Sequence, residues 1–293
     1  MRPQRGFTLV EMIMVIVITG IVAGMVAVFI ARPVQGYVDS VRRAGMTDVA
    51  DLALKRMALD IRTAVPNSVR VDSTGRFLEF IPAKSGGRYC TDSNDCPTTL
   101  AGAKVGDLDF GSPDAGGNAF DLLGSTIDVA SGESIIVYNT GQCIAATCST
   151  TISLPCSGLN AYEGCNRRLV ASTGTALTAL SFTATDPPFS MASPSNRFQL
   201  VSASGPVTYA CEAVGGSTTG TGTLRRYTGY SYFADQPTTG LGIGALLAEN
   251  LSACTFVYGP ASATNGLAGL SLTLTRDSES VTLYHQIHVD NMP

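Results

Sequence analysis

Arg5-Gly6-Phe7-Thr8-Leu9-Val10-Glu11 and, running straight on, MIMVIVITGIVAGMVAVFIA from Met12 to Ala31 form the segment from which the architecture of this chain is read. The twenty residues from Met12 carry no charge, and as a helix they reach roughly 30 Å, the thickness of a bilayer's hydrocarbon core. A short basic leader, Met1-Arg2-Pro3-Gln4-Arg5-Gly6, comes first. A secretory signal peptide needs a small-residue cleavage site after its apolar run. Here Ala27–Ala31 leads directly into Arg32-Pro33, a poor exit for that peptidase, so the run is expected to stay on the protein as a membrane helix. Glu11 stands at its head. An ionised carboxylate in hydrocarbon costs about 2.5–3.5 kcal/mol. The residue therefore calls for a cationic partner, or for a place near the headgroups where it favours the helix N-terminus through the dipole. Gly20 and Gly24 form a Gly-x-x-x-Gly pair that would let two membrane helices approach closely.

Composition narrows the function classes. Of 293 residues 45% are hydrophobic and 14% charged, too apolar and too weakly charged for a disordered chain. A formal net charge of −4 argues against a nucleic-acid binder, which needs excess Lys and Arg to displace counterions. Two histidines and a mean hydropathy of +0.21 make a soluble metalloenzyme a poor fit. The motifs G-x-x-x-x-G-K-[ST], G-x-S-x-G and H-E-x-x-H do not occur, so neither catalysis nor a cofactor is expected.

Beyond the span, Val34, Tyr37, Val38, Val41, Val49, Leu52, Met57 and Ile61 recur every three or four residues, with Asp39–Arg43, Asp51–Lys55 and Arg56–Asp60 as i,i+4 ion pairs. One amphipathic helix over 33–66 follows, stopped by Pro66-Asn67-Ser68 and bent at Pro33 and Gly36. From Phe7 to Val65 the two helical parts would measure roughly 90 Å. From Val69 the pattern becomes that of strands. Val69–Val71 and Phe77–Ile81 around Ser73-Thr74-Gly75 read as a hairpin. Further strands are expected at Glu133–Tyr138, Arg168–Ala171, Leu177–Thr183, Arg197–Ser202, Val207–Glu212, Leu224–Phe233 and Cys254–Tyr258. A final hairpin carries Leu270, Leu272 and Leu274 on one arm and Val281, Leu283, His285, Ile287 and Val289 on the other. The Gly/Ser/Thr/Asp-rich stretches 84–125, 141–166 and 212–222 read as loops. The fold class is α+β: a long N-terminal helix packed on an antiparallel β domain over 67–293.

All eight cysteines, Cys90, Cys96, Cys143, Cys148, Cys156, Cys165, Cys211 and Cys254, follow the membrane segment. An even number in Gly-rich loops fits disulfides in an oxidising compartment, and no C-x-x-C knuckle points to zinc. The spacing suggests Cys90–Cys96, Cys143–Cys148 and Cys156–Cys165 as local staples, with Cys211 and Cys254 free to join each other across strands. Charge leaves the topology open, because Arg2 and Arg5 precede the span while Arg32, Arg42 and Arg43 follow it. The cysteines place the β domain outside the cytoplasm. His285 and His288 fall on opposite faces of one strand, which disfavours joint metal ligation. Asp107, Asp109, Asp114 and Asp121 make a loose acidic loop in which calcium is conceivable, without the EF-hand pattern.

The basic leader, Gly6, Phe7, Glu11 and the uninterrupted apolar run together resemble the type IV prepilin, or class III, signal. That resemblance implies a membrane peptidase that cuts behind Gly6, removing leader 1–6, and methylates the new N-terminus at Phe7. It implies a transmembrane and assembly helix over 7–32, in which Glu11, one turn from the new ammonium on Phe7, pairs with the N-terminus of a neighbouring subunit and sets register. The partners it implies are the prepilin peptidase/methyltransferase, other major and minor pilins, and an inner-membrane assembly platform driven by a separate ATPase. The subunit would sit in the inner membrane as a single pass, N-terminus cytoplasmic and β domain periplasmic, and then move to a pilus at the cell surface. Residues 50–70 and the ending Leu283–Pro293 are similar to minor pilins of the MSHA (mannose-sensitive haemagglutinin) pilus. The minor pseudopilins of type II secretion share the helix-end pattern, and a tip adhesin whose loops 84–125 and 141–166 touch a surface is a further alternative.

Overall fold

In the computed structural model, which describes residues 6–90, 108, 119–142, 158–182, 189, 191–260 and 265–293, the chain begins as one helix, α1 (Leu9–Arg62). Its 54 residues measure about 80 Å. The helix runs on through Pro33, so the expected boundary at 33 is no break in the element, and it stops at Arg62, short of Val65. No residue of the apolar window is buried.

The second half of α1 packs through Met46, Ala50, Ala53, Leu54, Met57, Ala58 and Ile61, all buried. This differs from the expected stripe. Val49 and Leu52 point outward, and three alanines take the inward positions because their short side chains let the helix backbone lie close to the sheet. Apolar residues thus occupy both faces, which hides the true amphipathic direction from periodicity. The pairs Asp51–Lys55 (2.7 Å) and Arg56–Asp60 (3.3 Å) form as expected. Asp39–Arg43 does not: Asp39 meets Arg42 at 3.3 Å, and Arg43 reaches Glu279 at 3.1 Å.

The strands follow in the order β1 (Arg70–Val71), β2 (Phe77–Phe80), β3 (Ala83–Tyr89), β4 (Ala119–Leu123), β5 (Ile127–Val129), β6 (Ser134–Val137), β7 (Arg167–Leu169) and β8 (Gly174–Leu177). The remaining ones are β9 (Ala179–Ser181), β10 (Arg197–Val201), β11 (Val207–Glu212), β12 (Gly222–Tyr227), β13 (Ala245–Pro260), β14 (Asn265–Arg276) and β15 (Glu279–Asp290). A seven-stranded antiparallel sheet has the order β1-β2-β11-β12-β13-β14-β15, and α1 lies chiefly on β13 to β15. A six-stranded sheet, β7-β6-β10-β3-β4-β9, and a β5-β8 pair make the second layer. The larger core fills the space between α1 and the first sheet. Around the second sheet an aromatic core of Tyr89, Phe120, Phe182, Phe189 and Phe198 forms. Val65, Ile81, Ile136, Tyr162 and Val201 join the two where the helix ends.

Several expectations need correction. Residues 84–125 are not all loop, since β3 and β4 lie in them. Gly86 and Gly87 give β3 the composition of a turn, yet they are required by packing: a Cβ would come within 2.9 Å of Phe198 O at Gly86 and of the Phe198 ring at Gly87. The expected strand at 177–183 divides into β8 and β9, and the one at 224–233 ends at Tyr227. β13 begins at Ala245, nine residues before Cys254, and runs two residues past Tyr258 to Pro260. Both expected hairpins are present, β1–β2 and the in-register β14–β15.

The disulfide between Cys211 and Cys254 joins β11 to β13 across 43 residues of sequence. Cys90 and Cys165 are also disulfide-bonded. Cys96, Cys143, Cys148 and Cys156 lie outside the described residues, as do the pairings built on them. Replacing Cys211 and Cys254 together by alanine is expected to lower stability by about 2–5 kcal/mol in a denaturant titration, because the cross-link restrains the unfolded chain.

The β1–β2 turn depends on Asp72, whose Oδ1 accepts from the N–H of Arg76 (2.9 Å) and Phe77 (2.8 Å). Partial burial alone would push its carboxyl up, but hydrogen bonds from the Thr74 hydroxyl and from the N–H groups of Phe77, Thr74 and Arg76 outweigh that and hold it below the ordinary value. A folded-state pKa that is depressed contributes stability above the unfolded value of about 4, and that contribution is lost as pH falls through the lowered folded value. Asp72→Asn should therefore flatten the fall in stability below about pH 4, as read from melting temperatures across an acid series.

Candidate assembly helix and its seat on the sheet

Thr8 caps α1 in extended backbone geometry (φ −81°, ψ 151°), its Oγ1 accepting from Glu11 N at 3.3 Å. Thr8 and Glu11 thus occupy the N-cap and third positions of a capping-box pattern, a signal that was present in Thr8-Leu9-Val10-Glu11 and that fixes where the helix begins. Gly6 and Phe7 lie before the first turn, both exposed, so the Gly6–Phe7 peptide stands outside the helix. Glu11 is in the first turn, where its charge complements the helix dipole. Gly20 and Gly24 share one side of the exposed span, and nothing lies within 4 Å of a Cβ added at either.

The other half of the helix is locked by an ionic hub that sequence spacing does not reveal. Asp60 Oδ2 accepts from Tyr209 OH and from Arg226 Nε, each at 2.8 Å, while Oδ1 faces Arg56. Burial, with the negative charge of Asp60 and the hydrogen bond to it, drives the Tyr209 phenol well above its ordinary range. Tyr209 stays protonated and donating. At the other end of the docked segment, Arg42 meets Asp277 at 3.3 Å and Arg43 meets Glu279, pinning the β14–β15 turn. Around Arg42 a groove of about 600 Å³ opens, lined by Val38, Val41, Arg42, Val49, Leu246 and Asp277 among others.

A second ionic cluster holds the connection from β12 to β13. Glu79 is fully buried and pairs with Arg70 at 2.7 Å, while Tyr230 OH donates to Glu79 at 2.9 Å. Arg70 also donates to Ala234 O and to Phe233 O and lies 3.6 Å above the Tyr162 ring. Burial pushes the Glu79 carboxyl up, opposed by the Arg70 charge and the bonds from Arg70 and Tyr230. Every member has a protein partner, so the cluster fastens loops and offers no open site.

His285 is half-buried and His288 exposed, on opposite faces of β15. Among the described residues, no group of three His, Cys, Asp or Glu is arranged to hold a metal. Asp121 is buried in β4; Asp107, Asp109 and Asp114 lie outside the described residues.

The N-terminal geometry has a counterpart in known sequences. Residues 1–27 match the family model described as the prokaryotic N-terminal methylation motif. No curated protein and no solved structure matches the chain. The motif supports a type IV pilin-like or pseudopilin protein and implies processing by a prepilin peptidase and membrane assembly with other pilins. The exposed apolar helix suits single-pass anchoring, and the α+β architecture is pilin-like.

Asp60→Ala should cost about 2–4 kcal/mol, because it leaves Arg226 and the Tyr209 hydroxyl without their shared acceptor beneath the helix. Asp60→Asn should cost less. Chemical denaturation of the two variants checks the order.

Proposed function

We propose that this chain is a minor pilin that helps to initiate or cap a type IV pilus of the MSHA kind, and that among the subunits of that system it is most similar to MshO. The observation that carries the reading is the state of α1. Its apolar half is entirely unburied, with Glu11 one turn from Phe7, while its other half is fastened to the sheet. After cleavage behind Gly6, the new ammonium at Phe7 and the carboxylate at Glu11 form a matched pair of charges that hydrocarbon penalises when unpaired. Pairing with a neighbouring subunit relieves that penalty in one register only. Leu52 and Leu59, 71% and 62% exposed, extend the apolar surface along the outer side of the docked segment, where adjoining helices of a fibre would lie. The MSHA assignment is supported by the resemblance over 50–70 and 283–293. The work done is physical: the apolar helix moves from lipid into a helical bundle, and the disulfide-stapled domain faces outward.

Glu11→Ala tests this in the native strain lacking its own copy of the gene. The variant should still be cleaved and accumulate in the membrane, but pilus number on the cell surface should fall by an order of magnitude or more. Wild-type piliation with Glu11→Ala would overturn the register-setting role. Unchanged piliation in the complete deletion, with loss of a secreted protein instead, would move the chain to a type II secretion system.

A further inference from the structure

The second sheet carries a feature that the assembly helix does not use. Register sets Arg88 on β3 directly opposite Arg197 on β10, so both side chains leave the same face. Like charges facing each other across strands are destabilising. Both residues are exposed, and neither meets a carboxylate among the described residues. Arg88 Nε donates to Ser195 O at 3.2 Å, and its terminal nitrogens have no partner among the described residues. The chain as a whole carries a net charge of −4, so this pair is a local exception and not part of a generally basic surface.

The two arginines border a groove of about 400 Å³ that Ser85, Gly86, Gly87 and Gln199 also line. Gly86, on the same face as the two arginines, brings no side chain to fill it, because a Cβ there would come within 2.9 Å of Phe198 O. Gln199 stands opposite Gly86, two residues from Arg197 on the same face, a separation of about 7 Å along the strand. Its Oε1 is buried without a hydrogen-bond partner among the described residues, a costly state for an amide oxygen. Rotation about the last torsion of Gln199, which is a soft one, presents the amide to the groove.

Two guanidinium groups without a counter-ion among the described residues therefore lie one strand repeat from an acceptor without a donor among them. The complementary ligand carries an anionic group that two arginines can share and, about 7 Å away, a hydroxyl. We propose that this groove binds an acidic saccharide, its carboxylate held by Arg88 and Arg197 and a ring hydroxyl donating to Gln199. The position suits a polymer met on the side of the membrane that the β domain occupies. The six-stranded sheet grows from the C-terminal end of α1, where Val65 N donates to Ile81 O and Ala83 N to Thr63 O, so the groove lies at the pole away from the apolar span. The inference stands independently of the minor-pilin reading.

The test is calorimetric titration of the full chain in a non-ionic detergent with trigalacturonic acid, the matching neutral galactose trisaccharide, and sodium sulfate. Trigalacturonate should bind, less tightly as salt rises, and should bind better than sulfate; the neutral sugar should not bind. Arg88→Gln and Arg197→Gln should each weaken trigalacturonate by about tenfold or more. Arg197→Gln should not lower the melting temperature of the unliganded protein, since it removes a repulsion and breaks no hydrogen bond seen among the described residues. Gln199→Leu should weaken trigalacturonate and leave sulfate unchanged. Failure of trigalacturonate to bind overturns the proposal, as does equal binding of the neutral sugar or of sulfate. Indifference to the arginine replacements, or a lowered melting temperature in Arg197→Gln, would show that the pair is structural and overturn it equally.

Discussion

The seating of α1 on the first sheet is the constraint from which the rest of the molecule follows. A helix about 80 Å long cannot be held by its own hydrogen bonds in a defined direction relative to a small domain. Here it is held over one half only, by an alanine-lined face pressed on β13 to β15 and by Asp60 gripping Tyr209 and Arg226. The alanines bring the backbone close, and the half-buried ion pair, with the buried Tyr209 hydroxyl beside it, sets the direction. Leaving the buried Tyr209 hydroxyl without its acceptor is costly, which makes Asp60 a directional lock as well as a contact.

From that arrangement the asymmetry of the molecule follows. One half of α1 has found its partner within the chain, and the other has none within it. Leu9, Phe29 and their neighbours expose far more contiguous apolar surface than a soluble monomer carries. Lipid is one environment that satisfies them, and a bundle of equivalent helices is another. A subunit stored in the first and polymerised into the second needs a switch that acts at the membrane boundary. Gly6, Phe7, Thr8 and Glu11 lie together at the start of the apolar segment, with the Gly6–Phe7 peptide outside the first helical turn and Glu11 inside it.

Much of this was legible in the sequence. The charge-free run from Met12 to Ala31, the alternation in β14 and β15, and the Ser73-Thr74-Gly75 turn are local patterns, each generated by one periodicity or one turn chemistry. The Cys211–Cys254 bond was open to guesswork because both residues lie in recognisable strands. What could not be read were features that depend on a distant neighbour. Gly86 and Gly87 look like a turn until Phe198 is placed beneath them. Val49 and Leu52 compete with Met46 and Ala50 for the inward face, and only the sheet decides between them. Asp60 pairs at i,i+4 with Arg56 as spacing suggests, but its bonds to Tyr209 and Arg226 span 149 and 166 residues. The capping role of Thr8, in contrast, is a local signal carried by Thr8-Leu9-Val10-Glu11.

The central claim is that the free half of α1 begins at a processed residue 7 and is built into an assembly. The most direct measurement is the intact mass and N-terminal sequence of the protein recovered from sheared surface fibres of a strain with an active prepilin peptidase. The account predicts a chain that starts at Phe7 and carries one added methyl group on that nitrogen. A chain starting at Met1 with its leader intact would contradict it, and would leave a membrane anchor whose Glu11 has no ammonium to meet.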